Sequence, residues 1–184
     1  RHQISRKAEI AGVEIMLHLP MEPVEYPAVN PGTGALLTAM TSEELIRQLE
    51  QNLDSVPLIK GVNNHMGSRM TAMSAGMYQI LSLVKKRNLF FIDSLTTEDS
   101  ICRSTARLLQ VPFAQRDVFI DHVQTPAFVR QQLQLLIRTA ENYGEAIGIG
   151  HPHTVTYDML GEMLPEIKKK VRLVPASEVV HTGG

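Results

Sequence analysis

Four short apolar runs in this chain, each rich in residues that favour β-strands, end directly on polar side chains that can do chemistry. The runs and their polar ends are residues 13–17 before His18, 58–62 before Asn63-Asn64-His65, 89–92 before Asp93-Ser94, and 146–150 before His151-Pro152-His153. Stretches with helical periodicity separate them, which predicts parallel strands joined by helices. Because parallel strands share a direction, we expect three histidines and an aspartate to meet at one mouth.

Start and stop signals place the helices between these runs. Thr41 and Glu44 form a capping box, and Thr125 with Pro126 provides a cap and a first-turn residue. The predicted helices cover residues 41–53, 72–86, 100–109, 125–143 and 156–169, and the predicted strands residues 14–17, 58–62, 89–92, 146–149 and 171–174, with a short segment at 111–113. Residues 1–11 read as the second half of a helix, so we expect a strand–helix unit before them.

The alternation of strands and helices favours an α/β fold with a parallel sheet or barrel. We prefer an incomplete β/α barrel, because ligand-type residues follow nearly every strand instead of clustering at one switch point. An open, doubly wound sheet is the alternative. A chain of 184 residues is predicted to form a single domain over residues 1–184.

Composition excludes several classes of function. The net charge is −1 with 20% charged residues, so no basic field for nucleic acid or membrane surfaces is present. No apolar run approaches the length needed to span a membrane. The single cysteine, Cys102, lies among apolar neighbours and is predicted to be a buried core residue, not a nucleophile.

Five motifs carry a family resemblance. They are His18-Leu19-Pro20-Met21-Glu22-Pro23, Asn63-Asn64-His65-Met66-Gly67-Ser68-Arg69, Phe91-Ile92-Asp93-Ser94, Arg116-Asp117-Val118-Phe119-Ile120-Asp121 and Gly150-His151-Pro152. In order and spacing this set resembles the divergent polysaccharide deacetylase family of the NodB-like carbohydrate esterase superfamily. The resemblance implies a seven-stranded, incomplete β/α barrel. It also implies an amino-terminal strand bearing an Asp-Asp pair, which supplies a general base and a metal ligand and is absent from this sequence.

The resemblance implies a divalent metal, which we expect to be zinc. His18 matches a metal-binding histidine of the family, and Glu22 stands where the family motif has a second histidine. A mixed histidine–carboxylate shell still binds zinc, and His65 could supply the missing imidazole. The alternatives are a structural hydrogen-bonding role for His18 and supporting roles around the metal for Glu22 and His65.

Three residues are candidates for catalysis. His151 follows an apolar strand, and the resemblance implies that it protonates the leaving group. Asp93 is expected to be a ligand or to orient the acid histidine, with capping of the next turn as the alternative. The resemblance suggests that Arg116 orients a catalytic carboxylate, whereas a local ion pair with Asp117 is the simpler interpretation.

Other polar residues near these motifs have weaker support. Asn64 and Arg69 are candidates for binding sugar hydroxyls, although turn capping by the amide and a surface ion pair by the guanidinium are equally consistent with the sequence. Asp121 and His122 resemble a further pair at the end of a strand. His153 matches no motif and is expected at the surface or beside the site.

The residues suit a metal-dependent hydrolase, and the resemblance implies that it removes N-acetyl or O-acetyl groups from a polysaccharide or peptidoglycan glycan. The alternative is a catalytically inactive barrel that binds a glycan or a protein in the cell envelope. The resemblance also implies a bacterial periplasmic or other extracytoplasmic location. An acetylated glycan is the expected partner, and no nucleic acid is expected.

Overall fold

The computed structural model describes residues 6–8 and 10–183. Its internal contacts divide the chain into two compact units, one comprising Arg1–Gln115 with Val180–Gly184 and the other Arg116–Val179. Within the predicted amino-terminal helix, residues 6–8 and 10 are helical, and residues 1–5 and 9 lie outside the described ranges. The prediction of a single domain over residues 1–184 stays a prediction.

The first unit is built on a four-stranded parallel sheet. Its strands are β1 (Ile15–Met21), β2 (Ile59–Met66), β3 (Phe90–Asp93) and β4 (Phe113–Gln115), and they lie in that order across the sheet. Each neighbouring pair is parallel, which confirms the direction predicted from the alternating pattern.

Strands β1 and β2 continue past the ends predicted for them. His18 lies in the middle of β1 and is paired with Asn63, and Pro20 is paired with His65 of β2. Pro20 is tolerated within β1 because β1 is an edge strand of the described sheet, where a missing backbone N–H costs no ladder bond. The expectation that His18 and His65 follow their strands is therefore wrong, and both project from within the sheet.

Three helices cover one face of this sheet through apolar contacts. They are α1 (Ser42–Asp54), α2 (Ser74–Lys86) and α3 (Cys102–Leu109). The predicted capping box at Thr41 and Glu44 is present at the start of α1. Leu45, Leu49 and Leu53 follow at intervals of four residues and are buried in the core cluster with strand residues.

Cys102 is part of this core, as predicted. The side chain is fully buried, and burial, followed by the nearby Asp93 charge, raises the pKa of the thiol. A thiol kept protonated in this way is a poor nucleophile. Its role in this unit is packing.

The second unit contains two short parallel strands and two long helices. Strand β5 (Val118–Phe119) pairs with β6 (Gly148–Ile149), and helices α4 (Pro126–Tyr143) and α5 (Thr154–Lys170) pack around a separate core. The buried members of that core are Ile120, Val129, Leu133, Ile137, Met163 and Ile167. Helix α4 begins and ends where its sequence signals predict, with the Thr125 hydroxyl accepting from the Phe128 amide.

The strand predicted over residues 171–174 is wrong. Helix α5 continues to Lys170, and the Val171 amide still donates to the Ile167 carbonyl. The backbone then extends, but residues 171–174 pair with no strand in the described chain, and Arg172 and Leu173 are exposed. An apolar, β-branched run without a neighbouring edge remains irregular.

The described chain therefore has an α/β fold with parallel strands and intervening helices. This confirms the predicted fold class. Neither the count of seven strands nor the extra amino-terminal unit is tested by these elements, so both stay predictions. None of the helices in the described ranges has the combination of length and apolar character that crossing a bilayer requires.

Candidate functional site

Two histidines from neighbouring strands face each other in the first unit. In β1 the side chains of Leu17, Leu19 and Met21 are buried, so the alternation of the strand puts His18 on the opposite face, where it is exposed. His65 of β2 projects from the same face. The distance from His18 Nε2 to His65 Nδ1 is 3.0 Å, and the ring centroids are 4.7 Å apart.

This imidazole pair fits a divalent metal. Zinc–nitrogen bonds are about 2.0–2.1 Å long, so two adjacent imidazole ligands place their nitrogens roughly 3 Å apart. The His18 and His65 nitrogens have that separation and lie on one face of the sheet. These residues would hold the metal through one nitrogen each.

Glu22, the third predicted metal ligand, uses its carboxylate for other contacts. The residue is 3% exposed, and its Oε1 accepts from Arg69 Nη1 at 2.9 Å. Its Oε2 accepts from the Thr38 amide at 2.5 Å and the Thr38 hydroxyl at 2.9 Å. Among the described residues, Glu22 does not form a close three-ligand group with the imidazole pair. The three donors leave one lone pair of Oε1 without a donor among the described contacts, and the burial of Glu22 limits what can approach it.

The two candidate sugar-binding residues are placed differently from each other. Arg69 is about half exposed and donates to Glu22 and, at 2.6 Å, to the Val24 carbonyl. Asn64 is fully buried, with its oxygen accepting from the Ser94 amide and its nitrogen donating to the Met66 carbonyl, both at 2.8 Å. Because the Asn64 side chain is fully buried, a sugar would reach its amide only if the surrounding residues moved.

Asp93 ends β3 and stabilises the turn that follows. Its Oδ1 accepts from the Leu95 amide at 2.8 Å, and its Oδ2 accepts from the Ser100 hydroxyl at 2.6 Å. The residue is 1% exposed. This geometry matches the capping alternative, in which the carboxylate serves local backbone donors. The predicted catalytic role of Asp93 stays a prediction.

A buried carboxylate and a partly exposed imidazole form the main polar group of the second unit. Asp121 Oδ1 lies 3.1 Å from His151 Nδ1, and Asp121 Oδ2 accepts from the His151 amide at 2.5 Å. The Thr156 hydroxyl donates to the same Oδ2 at 2.8 Å. The Asp121 side chain is inaccessible to solvent, whereas that of His151 is 38% exposed.

The hydrogen bonds keep Asp121 ionised despite its burial. Burial alone would raise the pKa of the carboxyl, but donation by the His151 amide, the Thr156 hydroxyl and the His151 imidazole outweighs it and lowers the pKa. An ionised carboxylate at Nδ1 favours the tautomer with a proton there. The Nε2 atom of His151 is then the one left to transfer a proton or bind a metal.

Asp121, and not Asp93, is the carboxylate that contacts the His151 imidazole among the described hydrogen bonds. The signal for it was present, since Asp121 follows an apolar strand and ends the fourth motif. Strand β5 is only two residues long, however, so its periodicity is weak. The contact that identifies the role joins residues 30 positions apart, which no local pattern shows.

His153 brings a second imidazole to this group. One ligand atom from each of Asp121, His151 and His153 lies within 4.8 Å of the others. A carboxylate with two histidines is a common donor set for catalytic zinc, so this triad is a second place that fits a metal. Both oxygens of Asp121 already accept hydrogen bonds, which makes the two imidazoles its more accessible donors.

Arg116 lies against an aromatic ring in the same unit. Its guanidinium carbon is 5.1 Å from the centre of the Phe119 ring, a cation–π distance. Phe119 is in turn 5.5 Å from the His151 ring. Whether Arg116 also orients a catalytic carboxylate stays a prediction.

Two bacterial proteins are similar to this chain over nearly all of its length. It is 34% identical over 179 residues to the uncharacterized protein YibQ of Escherichia coli, covering 97% of this chain and 56% of that protein. It is 31% identical over 170 residues to an uncharacterized protein of Haemophilus influenzae, covering 92% of this chain and 60% of that protein. The chain therefore spans less than two thirds of the length of either relative.

A solved structure and a family model extend this comparison. The crystal structure of an uncharacterized protein from Agrobacterium tumefaciens matches with a TM-score of 0.92 at 27% identity, covering 95% of this chain and 72% of that one. The model of the divergent polysaccharide deacetylases matches residues 1–180. The resemblance carried by the five motifs is thereby confirmed: this chain belongs to the divergent polysaccharide deacetylase family.

Proposed function

We propose that the protein is a metal-dependent hydrolase that removes acetyl groups from a glycan. The observation that carries this proposal is the pair of imidazole nitrogens of His18 and His65, 3.0 Å apart, in a member of a deacetylase family. That separation suits two nitrogens that share one metal ion, and it equally suits a hydrogen bond between the two imidazoles, the structural alternative for His18. Zinc is the metal that best suits these ligands.

Each compact unit has residues suited to one part of this chemistry. His18 and His65 would hold a divalent ion, which would polarise the acetyl carbonyl and make water a better nucleophile. In the Nδ1–H tautomer, His151 Nε2 would first accept a proton, which water releases as it adds to the acetyl carbonyl, and would then pass it to the leaving nitrogen or oxygen as acetate departs. Asp121 accepts from Nδ1 and stabilises the imidazolium form between proton transfers.

The finer features of the family are part of the same proposal. We infer a seven-stranded, incomplete barrel, a polysaccharide or peptidoglycan glycan as substrate, and an extracytoplasmic location in a bacterium. Family membership supports each of them. Fractionation of cells that produce the natural protein, with detection by antibody, would test the location, and recovery in the cytoplasm would contradict it.

A binding module that has lost catalysis is the second candidate. The specific observation that favours it is Glu22, which replaces the second histidine of the family motif and is paired with Arg69 and Thr38. A metal shell with fewer imidazoles would bind its ion more weakly. Such a protein would retain affinity for acetylated glycans without releasing acetate.

Zinc titration combined with acetate release from N-acetylated glycan oligomers tests the proposal. We expect the protein to bind one zinc ion and release acetate, and His18→Ala to lose both. His181→Ala, which removes an exposed imidazole, is the matched control and should behave like the wild type. His153→Ala distinguishes the two metal positions, because only the triad of Asp121, His151 and His153 uses that ring.

Two results would contradict the proposal in different ways. If the wild type and His18→Ala bind zinc with equal affinity and stoichiometry, the pair of His18 and His65 is not the metal site. Zinc binding by the wild type without acetate release from any acetylated glycan would defeat the reaction and favour the binding module.

A further inference from the structure

The Asp121 carboxylate is fixed by three donors that come from two segments. The His151 amide and the Thr156 hydroxyl both donate to Oδ2, at 2.5 Å and 2.8 Å. Only Oδ1 is directed to the imidazole, with a distance of 3.1 Å to His151 Nδ1. The carboxylate plane is therefore set by the two bonds to Oδ2, and the position of Oδ1 follows from them.

Thr156 is well placed to contribute to this orientation. It is the third residue of α5, is 3% exposed and lies over Asp121 at the amino-terminal end of the helix. The helix dipole at this end favours a negative charge. Gly150 permits the close approach, since a Cβ there would lie 3.2 Å from Asp121 Oδ2 and 3.4 Å from Thr156 Cγ2.

We propose that Thr156 is a positioning residue that sets the Asp121 carboxylate and thereby fixes the tautomer and orientation of the His151 imidazole. The expected effect on catalysis rests on the proposed function. The expected effect on the orientation and tautomer of His151 does not. Thr156 contacts neither the leaving group nor a metal in this arrangement. It acts through Asp121.

The hydroxyl has a specific effect because the second side-chain torsion of an aspartate is soft. That torsion has broad minima, so without the Thr156 hydroxyl the carboxylate would be held by His151 alone and would rotate more readily. Rotation would move Oδ1 off Nδ1 and release the imidazole from its Nδ1–H tautomer. A second donor on Oδ2 prevents this.

The first test is the tautomer of His151, measured by ¹⁵N–¹H correlation NMR on the metal-free protein in chelator. We expect a protonated Nδ1 in the wild type and in Thr156→Ser, which retains the hydroxyl. Thr156→Val keeps the shape but removes the donor, and it should give a mixture of tautomers. Thr154→Val, an exposed change in the same helical turn, is the matched control and should leave the spectrum unchanged.

The second test is catalysis with acetylated glycan oligomers. We expect Thr156→Val to lower kcat by about 10-fold to 100-fold, the usual effect of losing a group that orients a functional histidine. KM should not change, because Thr156 does not bind the substrate. Thr156→Ser keeps the hydroxyl and should keep the wild-type kcat. If Thr156 acted only through packing of its methyl group, Thr156→Ser would lower kcat as well.

The outcomes separate this inference from the proposed function. If the fraction of His151 in the Nδ1–H tautomer is the same in Thr156→Val as in the wild type, the positioning role is overturned, whatever the activity of the variant. A tautomer change without hydrolysis by the wild type supports the positioning role and contradicts the deacetylase. If Thr156→Val does not fold, Thr156→Ala provides the same comparison, and Thr156→Ser must still resemble the wild type.

Discussion

At the residue scale, the partners of each carboxylate decide its role. Glu22, Asp93 and Asp121 are all nearly inaccessible to solvent, yet each accepts from a different kind of donor. Glu22 joins a guanidinium and a loop residue, Asp93 serves backbone and hydroxyl donors of its own turn, and Asp121 holds an imidazole. Three buried carboxylates therefore have three different sets of contacts.

Replacing Glu22 tests whether its role is structural. In Glu22→Gln the charge that pairs with Arg69 is lost. The amide has a single oxygen, so it can accept either from Arg69 or from the Thr38 amide and hydroxyl, whereas the carboxylate accepts from both. We expect a loss of about 1–3 kcal/mol in the free energy of unfolding, the cost of leaving a buried polar group unsatisfied. Urea denaturation measures it.

Asp54→Asn is the matched control for this substitution. Asp54 pairs with Arg87 at 2.8 Å, but both side chains are exposed, so the pair contributes little. We expect a much smaller change than for Glu22→Gln. If the two substitutions lower the free energy of unfolding equally, the contacts of Glu22 have no special structural role. If Glu22→Gln loses zinc binding, Glu22 is a metal ligand.

The lowered pKa of Asp121 predicts how stability responds to acid. A carboxyl whose folded pKa lies below its unfolded value, about 3.9, stabilises the native state above that value. The contribution is lost as the pH falls through the folded pKa. The stability difference between the wild type and Asp121→Asn should therefore be constant near neutral pH and shrink in the acid range, as urea denaturation at a series of pH values would measure. A difference that grows on acidification would contradict the assigned bonds.

At the scale of elements, two glycines differ in the room that surrounds them. Gly61 on β2 lies under Phe90 of β3, and a Cβ at that position would be 2.2 Å from the ring. Gly161 in α5 has no heavy atom within 4 Å of such a Cβ. The strand pairing requires a glycine at the first position, whereas the helix does not require one at the second.

The same substitution should consequently have opposite effects at these two positions. Gly61→Ala forces the buried Phe90 ring to move, and overpacking of this kind costs about 1–3 kcal/mol. Gly161→Ala should stabilise the helix by roughly 0.5–1 kcal/mol, because alanine loses less backbone freedom. Thermal and urea unfolding of both variants would measure this, and destabilisation by Gly161→Ala would show that something packs on that face of α5.

At the scale of the whole molecule, family and fold class are supported by different observations. The family model matches residues 1–180, and parallel strands with intervening helices occur in both units. Each unit brings together polar groups suited to the chemistry of a deacetylase, an imidazole pair in one and an imidazole with its carboxylate in the other. The chain spans 56% and 60% of two bacterial relatives, so the activity of the whole protein is tested best on its natural length.

The sequence by itself determined the fold class, the parallel direction of the strands, most helix boundaries and the family. Each of these depends on local periodicity, capping residues or motif order, which a linear chain carries directly. The limits of α4 and the capping box of α1 are examples, since the residues that define them are a few positions apart.

Only the tertiary structure decided which polar groups meet. The 3.0 Å contact of His18 with His65 depends on the register of β1 against β2, and the bonds of Asp121 to His151 and Thr156 join residues at least 30 positions apart. It also decided that residues 171–174 form no strand, since a strand needs a neighbouring edge. Long-range pairing has no local signature, because the partners of a side chain are set by how the elements pack.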